Sequence, residues 1–277
     1  LKIENITANG FLIENINFEG AADSDDTYCL NIKSCEVTIK KCEITNKSSL
    51  AGICVSQQGK LLISHSSIYD CERSGIFVNR SQIVMSNCSL QNNVYAGILI
   101  QQESNAEISD SMLEFNGRGC HVDELSNAII QTTAIINNLI GILIEKKSIL
   151  SIENSFVSYS FSNPSGGGIG LDGESTCNIK KTLIPKKLSE IPGVQKIDES
   201  SVINGKSGSD KIVDLIVNPK SSFDNIKEYL KDNSLKNKDE NYKDFIYSLI
   251  NEVISVRLKE YIYKSNKNSK HRYDFIM

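Results

Sequence analysis

The chain has 277 residues, 30 Lys and Arg against 34 Asp and Glu, and a net charge of −4. That mild acidity excludes the clustered basic surface a nucleic-acid partner requires, and no apolar run approaches the roughly 20 residues that span a bilayer. Hydrophobic residues make up 40%, enough for a sizeable core, and all four prolines fall at or after Pro164, so the N-terminal part lacks the strongest breaker of a β ladder. The opening Leu1-Lys2-Ile3-Glu4-Asn5 carries neither a signal-peptide nor a transit-peptide pattern.

One tetrad recurs along the chain: Gly52-Ile53-Cys54-Val55, Gly75-Ile76-Phe77-Val78, Gly97-Ile98-Leu99-Ile100, Gly119-Cys120-His121-Val122, Gly141-Ile142-Leu143-Ile144 and Gly168-Ile169-Gly170-Leu171. Its glycines step by 23, 22, 22, 22 and 27 residues. Cys29-Leu30-Asn31-Ile32 fits one step earlier. A second motif follows each tetrad, anchored at Ile13, Ile39, Ile63, Met85, Ile108, Ile130, Ile152 and Ile179. Three positions on, the residue is mostly small: Cys42, Ser66, Cys88, Ser111, Thr133, Ser155, Thr182. Five positions on, it is always apolar, from Phe18 to Ile184.

Alternating apolar positions within these motifs read as three short, half-buried strands per repeat, separated by polar or Gly turns. A single such strand buries too little to be stable. Stacking equivalent strands pairs every backbone and lines the coil with a continuous core. The expected fold is therefore an all-β solenoid, a right-handed single-stranded parallel β-helix of about eight rungs over residues 1–184. The phrase Leu90-Gln91-Asn92-Asn93-Val94-Tyr95-Ala96-Gly97-Ile98-Leu99-Ile100 resembles the CASH, or parallel β-helix, repeats of the pectin-lyase-like superfamily. Within it, the likeness is closest to the intracellular repeats of F-box and SHC-binding proteins. That resemblance implies the fold; it is weak for function, because lyases, hydrolases, epimerases, adhesins and scaffolds share it.

Asn residues recur before the glycines (Asn92, Asn93, Asn116, Asn137, Asn138), which predicts a hydrogen-bonded ladder along the axis. The recurrent Gly is expected to serve a tight turn or a positive φ. Of the eight cysteines, no same-column pair lies on adjacent rungs, so free, buried thiols are expected and with them a reducing compartment. No CxxC spacing points to a metal, and no cofactor is expected.

Enzymes on this fold work on an outer sheet face, so the outward positions of the tetrad strand are the place to look for chemistry. The position after the tetrad carries a carboxylate line, Asp123, Glu145 and Asp172, beside His121. Glycoside chemistry would use such paired carboxylates, but a solvated face is the simpler reading. The third position of the tetrad is oily instead: Cys54, Phe77, Leu99 and Leu143. A contiguous exposed apolar patch marks either docking or an intramolecular lid, and these four residues are the expected partner-docking stripe. His65 falls in a turn and is expected at the surface.

After Ile184, Pro185 and Pro192 interrupt the pattern, and 185–220 is expected to be a linker and irregular segment. Residues 221–277 are expected to form an α-helical extension with a basic tail, in which Phe245, Leu249, Val253 and Val256 fall at helical spacing. The resulting expectation is a non-catalytic intracellular scaffold, cytoplasmic or cytoskeletal, that offers a flat sheet to protein partners in a larger assembly. The alternative is a carbohydrate-active lyase, hydrolase or epimerase using Asp123, Glu145, Asp172 and His121.

Overall fold

The computed structural model describes residues 2–4, 10–20, 28–48, 50–157, 168–182 and 194–197, with backbone alone at the first and last of these. The predicted helical extension lies outside the described residues. The chain divides into Leu1–Asp210 and Lys211–Met277, and everything described below belongs to the first unit.

Three parallel sheets are built in rotation, each strand pairing with its equivalent one repeat away. Sheet A contains Lys2–Glu4, Leu30–Lys33, Ile53–Ser56, Ser74–Asn79, Ala96–Gln101, Arg118–Val122, Ile140–Ile144 and Ile169–Leu171. Sheet B contains Phe11–Glu14, Glu36–Lys40, Lys60–Ser64, Gln82–Ser86, Asn105–Ser109, Asn127–Gln131, Ile149–Glu153, Thr176–Lys180 and Val194–Ile197. Sheet C contains Asn17–Gly20, Glu43–Asn46, Ser67–Tyr69, Ser89–Gln91, Met112–Glu114, Ala134–Ile136 and Phe156–Val157. Seven turns have all three strands, and the next has its sheet A and sheet B strands alone among the described residues. The count is thus about seven turns, not the eight rungs expected. Val194–Ile197 pairs in parallel with Thr176–Lys180, across a register shift at Cys177/Asn178, so one more strand is added where the sequence reads as irregular. No helix occurs among the described residues.

The tetrad register is as expected. Ile53, Ile76 and Ile98 stack on one another, as do Val55, Val78 and Ile100, and all six are fully buried. Sheet B sends Ile39, Ile63, Met85, Ile108 and Ile130 into the same core. Eight cysteines are buried and unbridged.

The recurrent glycine meets the expected positive φ at Gly168, and a different demand at the other tetrads. Among the described residues, the glycines with a positive φ are Gly10 and Gly168. At Gly97 and Gly119 an added Cβ would sit 2.8 and 2.6 Å from the carbonyl oxygen of the next glycine in the column. Close approach between turns, not backbone handedness, excludes a side chain there. Positive φ recurs at the bends instead, and one set sits directly after the sheet B strands: Asn15, Lys41, His65, Asn87, Asp110, Thr132, Asn154 and Lys181. Each costs about 1 kcal/mol for an L residue. The N–H of Lys41, His65, Asn87 and Asp110 still donates to the next turn's carbonyl, so the ladder runs on through the bend. His65 is exposed at this corner, as expected.

Side-chain ladders run inside two corners. Asn93 donates its backbone N–H and its Nδ2 to Asn116 Oδ1 at 3.0 and 2.9 Å, and Asn116 does the same to Asn138 at 2.8 and 3.1 Å. These three asparagines are buried, which bears out the predicted ladder. Asn92 and Asn137 instead occupy positive-φ bends. A second ladder went unread: Ser81, Ser104, Ser126 and Ser148 each donate a backbone N–H to the hydroxyl of the next serine, ending at Ser175, at 3.1–3.2 Å. The step of 22 residues from Ser104 to Ser126 to Ser148 is the signal that would have found it.

Candidate functional site

The outward columns of sheet A hold the residues singled out in the sequence. Asn31, Cys54, Phe77, Leu99, His121, Leu143 and Gly170 form one continuous column. Facing outward does not leave them open. Cys54 and Leu99 are only 3% and 8% exposed, and Phe77 and Leu143 are half-buried. Parallel stacking puts a neighbour about 4.8 Å away on each side, so Leu99 is flanked by Phe77 and His121. Tyr28 hydrogen-bonds the Cys54 thiol. The expected open stripe is therefore a sheltered column.

His121 is 3% exposed and stands at the centre of a polar constellation. Its Nε2 lies 3.0 Å from Glu145 Oε2, and its Nδ1 lies 3.5 Å from the Tyr95 hydroxyl. Tyr95, on the bend entering Ala96–Gln101, carries the Arg118 guanidinium 4.4 Å from its ring centroid. Burial pushes the His121 pKa below its ordinary value; Arg118 adds to that, and Glu145 opposes it. Asp123 is buried and accepts from Lys146 Nζ at 3.0 Å and from the Glu124 N–H at 2.9 Å. Lys146 also reaches Glu124 at 3.2 Å. Hydrogen bonds to Asp123 and Glu124 hold the lysine above its usual pKa. Asp172 accepts the N–H groups of Lys146, Glu174 and Ser175. Partial burial works against its charge, but the Ser175 side chain and those N–H groups outweigh it, and its pKa falls.

The structure thus brings Asp123, Glu145 and His121 together as expected. One donor atom from each lies within 4.8 Å of the others. Asp172 is drawn into a separate turn. Every carboxylate of the line has a partner within the protein.

Two surfaces escaped the sequence reading. The middle outward column of sheet B runs Leu12, Thr38, Leu62, Val84, Glu107, Ile129, Ser151, Asn178. Leu12 is 56% exposed, Val84 38% and Ile129 46%, with Leu62 half-buried between them. Its signal was the alternation in Lys60–Ser64 and Gln82–Ser86, where Leu62 and Val84 sit opposite the core positions. The other surface is a groove of about 410 Å³ along the corner between sheets C and A. Exposed Val94, Phe115 and Leu139 line it around Gly117.

A family model described as a right-handed β-helix region matches residues 3–157 and, in an overlapping match, 51–186. The chain belongs to this family, and its parallel solenoid is right-handed. That meets the expectation drawn from the pectin-lyase-like superfamily; the nearer likeness to F-box and SHC-binding repeats is not shown by the match. No curated protein matches the chain. Among solved structures it is similar to pectate lyase Pel9A at 12% identity and a TM-score of 0.40, covering 74% of this chain and 68% of the lyase. It is also similar to QnrB1, a plasmid-mediated fluoroquinolone resistance protein, at 14% identity and a TM-score of 0.21, covering 69% and 92%.

Proposed function

We propose that the chain is a non-catalytic protein-interaction β-helix, a scaffold that offers the outer face of sheet B to a protein partner within a larger assembly. The observation that carries this is the apolar pair Leu62 and Val84 at the middle of the outer sheet B column, with exposed Leu12 and Ile129 further along it beyond Thr38 and Glu107. The columns beside it are mainly polar, apart from exposed Ile149, and several charges on or next to them are already paired: Lys60 with Glu36 at 3.0 Å, Lys41 with Glu14 at 3.2 Å and Lys180 with Glu153 at 2.6 Å. A partner therefore needs apolar side chains opposite Leu62 and Val84 with polar groups around them, not a strong charge, which favours a protein over a nucleic acid or an anionic membrane surface. The face carries no aromatic ring from Leu12 to Asn178 on which a sugar would stack. Eight free buried thiols support an intracellular setting.

The alternative, a carbohydrate-active enzyme built on Asp123, Glu145, Asp172 and His121, draws on the closeness of His121, Asp123 and Glu145. It would have to break the His121–Glu145 and Lys146–Asp123 contacts and free Asp172 from the backbone N–H groups that it accepts.

The test is affinity purification from the source cells with the wild type, the Leu62→Asp/Val84→Asp double variant and Phe77→Asp. The scaffold reading expects one discrete protein to be held by the wild type and by Phe77→Asp, and lost from the double variant. Retention that ignores the sheet B charges, or cleavage of a polysaccharide that depends on Glu145, would overturn it.

A further inference from the structure

We propose that His121, Asp123 and Glu145 form a binding site for one divalent transition-metal ion of the Zn²⁺ class. The site stands apart from the sheet B face and does not depend on the scaffold reading.

The three residues come from two successive turns, and one donor atom of each lies within 4.8 Å of the other two. A tetrahedral Zn²⁺ bound at 2.0–2.1 Å needs its donors about 3.3–3.4 Å apart. The His121 Nε2 and Glu145 Oε2 atoms, at 3.0 Å, are already near that spacing, so only small side-chain rotations are required. The donor set decides the class of ion. One imidazole nitrogen with two carboxylates suits zinc and its neighbours, whereas Ca²⁺ takes six to eight oxygens.

Two further features fit. His121 is held from behind, because its Nδ1 meets the Tyr95 hydroxyl at 3.5 Å. In the metal-free protein Nε2–H can donate to Glu145; on metal binding that proton would leave, and Nδ1–H would donate to the Tyr95 oxygen, the arrangement in which a metal-binding histidine is fixed by its second nitrogen. The carboxylates also collect a cation already: Lys146 Nζ lies on Asp123 at 3.0 Å. Its side chain is 59% exposed and reaches Glu124 as well, so it can give way to the ion without unfolding anything. The bound ion would fasten the Arg118–Val122 turn to the Ile140–Ile144 turn. Three protein donors leave one position for water or an external ligand.

The experiment is calorimetric titration of the whole chain with Zn²⁺ and, separately, Ca²⁺, using the wild type, His121→Gln, Glu145→Gln and Lys146→Met. Replacement of Zn²⁺ by Co²⁺ adds a visible absorption band as a report on coordination. The expected result is one Zn²⁺ per wild-type chain, binding at least tenfold weaker in His121→Gln and Glu145→Gln, and several-fold tighter binding in Lys146→Met, where the competing ammonium is gone. The Lys146 arm changes an exposed side chain and stays informative if the buried variants fold poorly. No binding by the wild type, Ca²⁺ bound more tightly than Zn²⁺, or a Zn²⁺ affinity unmoved by Lys146→Met would overturn the proposal.

Discussion

The outer faces of sheets A and B are built from the same strand geometry and finished in opposite ways. On sheet A the outward column ends up sheltered, with Cys54, Leu99 and His121 each under a tenth exposed, and its charges are spent on one another. On sheet B the corresponding column leaves Leu12, Val84 and Ile129 more than a third exposed. Strand alternation decides which way a side chain points. What lies over it is a separate matter, decided by column neighbours and by residues from other turns. The comparison shows that the apolar side chains open to solvent lie on sheet B rather than in the sheet A column.

The sharpest way to break this contrast is a buried charge. Leu99→Asp should cost about 3–4 kcal/mol, since an unpaired carboxylate would enter a site with almost no solvent. Val84→Asp, on an open strand, should stay within about 1 kcal/mol. Urea unfolding of both variants reads the difference, and equal costs would erase the distinction between the faces.

A second contrast sets the interior asparagine column against an exposed one. Asn116→Ala removes the acceptor for both the N–H and the Nδ2 of buried Asn93, and about 2–3 kcal/mol should be lost. Asn127→Ala removes a single 3.3 Å bond to Asn105 on the sheet B surface and should cost under about 0.5 kcal/mol.

Much of the solenoid was legible because a stacked fold repeats its demands. Ile53, Ile76 and Ile98 recur where each turn needs the same core atom, and Asn93, Asn116 and Asn138 where each corner needs the same donor and acceptor. The glycines were legible in place but only partly in cause: Gly168 has the expected positive φ, whereas sequence spacing locates Gly97 without revealing that an added Cβ would meet a carbonyl 2.8 Å away. His121, Asp123 and Glu145 were legible as a line because register alone aligns them. Lys146 and Tyr95, which decide how that line is satisfied, were not, because they reach it from bends outside the period-two pattern. The Leu62 and Val84 face was passed over because two apolar residues among core isoleucines look like more core.

Thiol chemistry reads the same two faces. Burial pushes the Cys54 thiol up, and Cys71, Cys88, Cys120 and Cys177 rise to about 12. Because the thiolate is the reactive form, alkylation of native protein at pH 8 should be at least about 100-fold slower at Cys54 than at a Val84→Cys variant, as mass spectrometry of the labelled peptides will show. Comparable rates would mean that sheet A is open after all.

The smallest expected effect is acid sensitivity. The Asp172 pKa is held below its ordinary value, so its contribution to stability is present above the unfolded carboxylate pKa of about 3.9 and is lost as pH falls through the lower folded value. Asp172→Asn should flatten that part of the stability profile and leave pH 5–8 unchanged in slope, as thermal melts across the range would record.

The most direct test of the central claim is a pair of site-specific photo-crosslinkers, one at Val84 on sheet B and one at Phe77 on sheet A, activated in the source cells. The account predicts that the Val84 probe joins the chain to one discrete protein, the same one that Leu62→Asp releases, while the Phe77 probe yields no such adduct. An adduct at Phe77 with none at Val84 would contradict it.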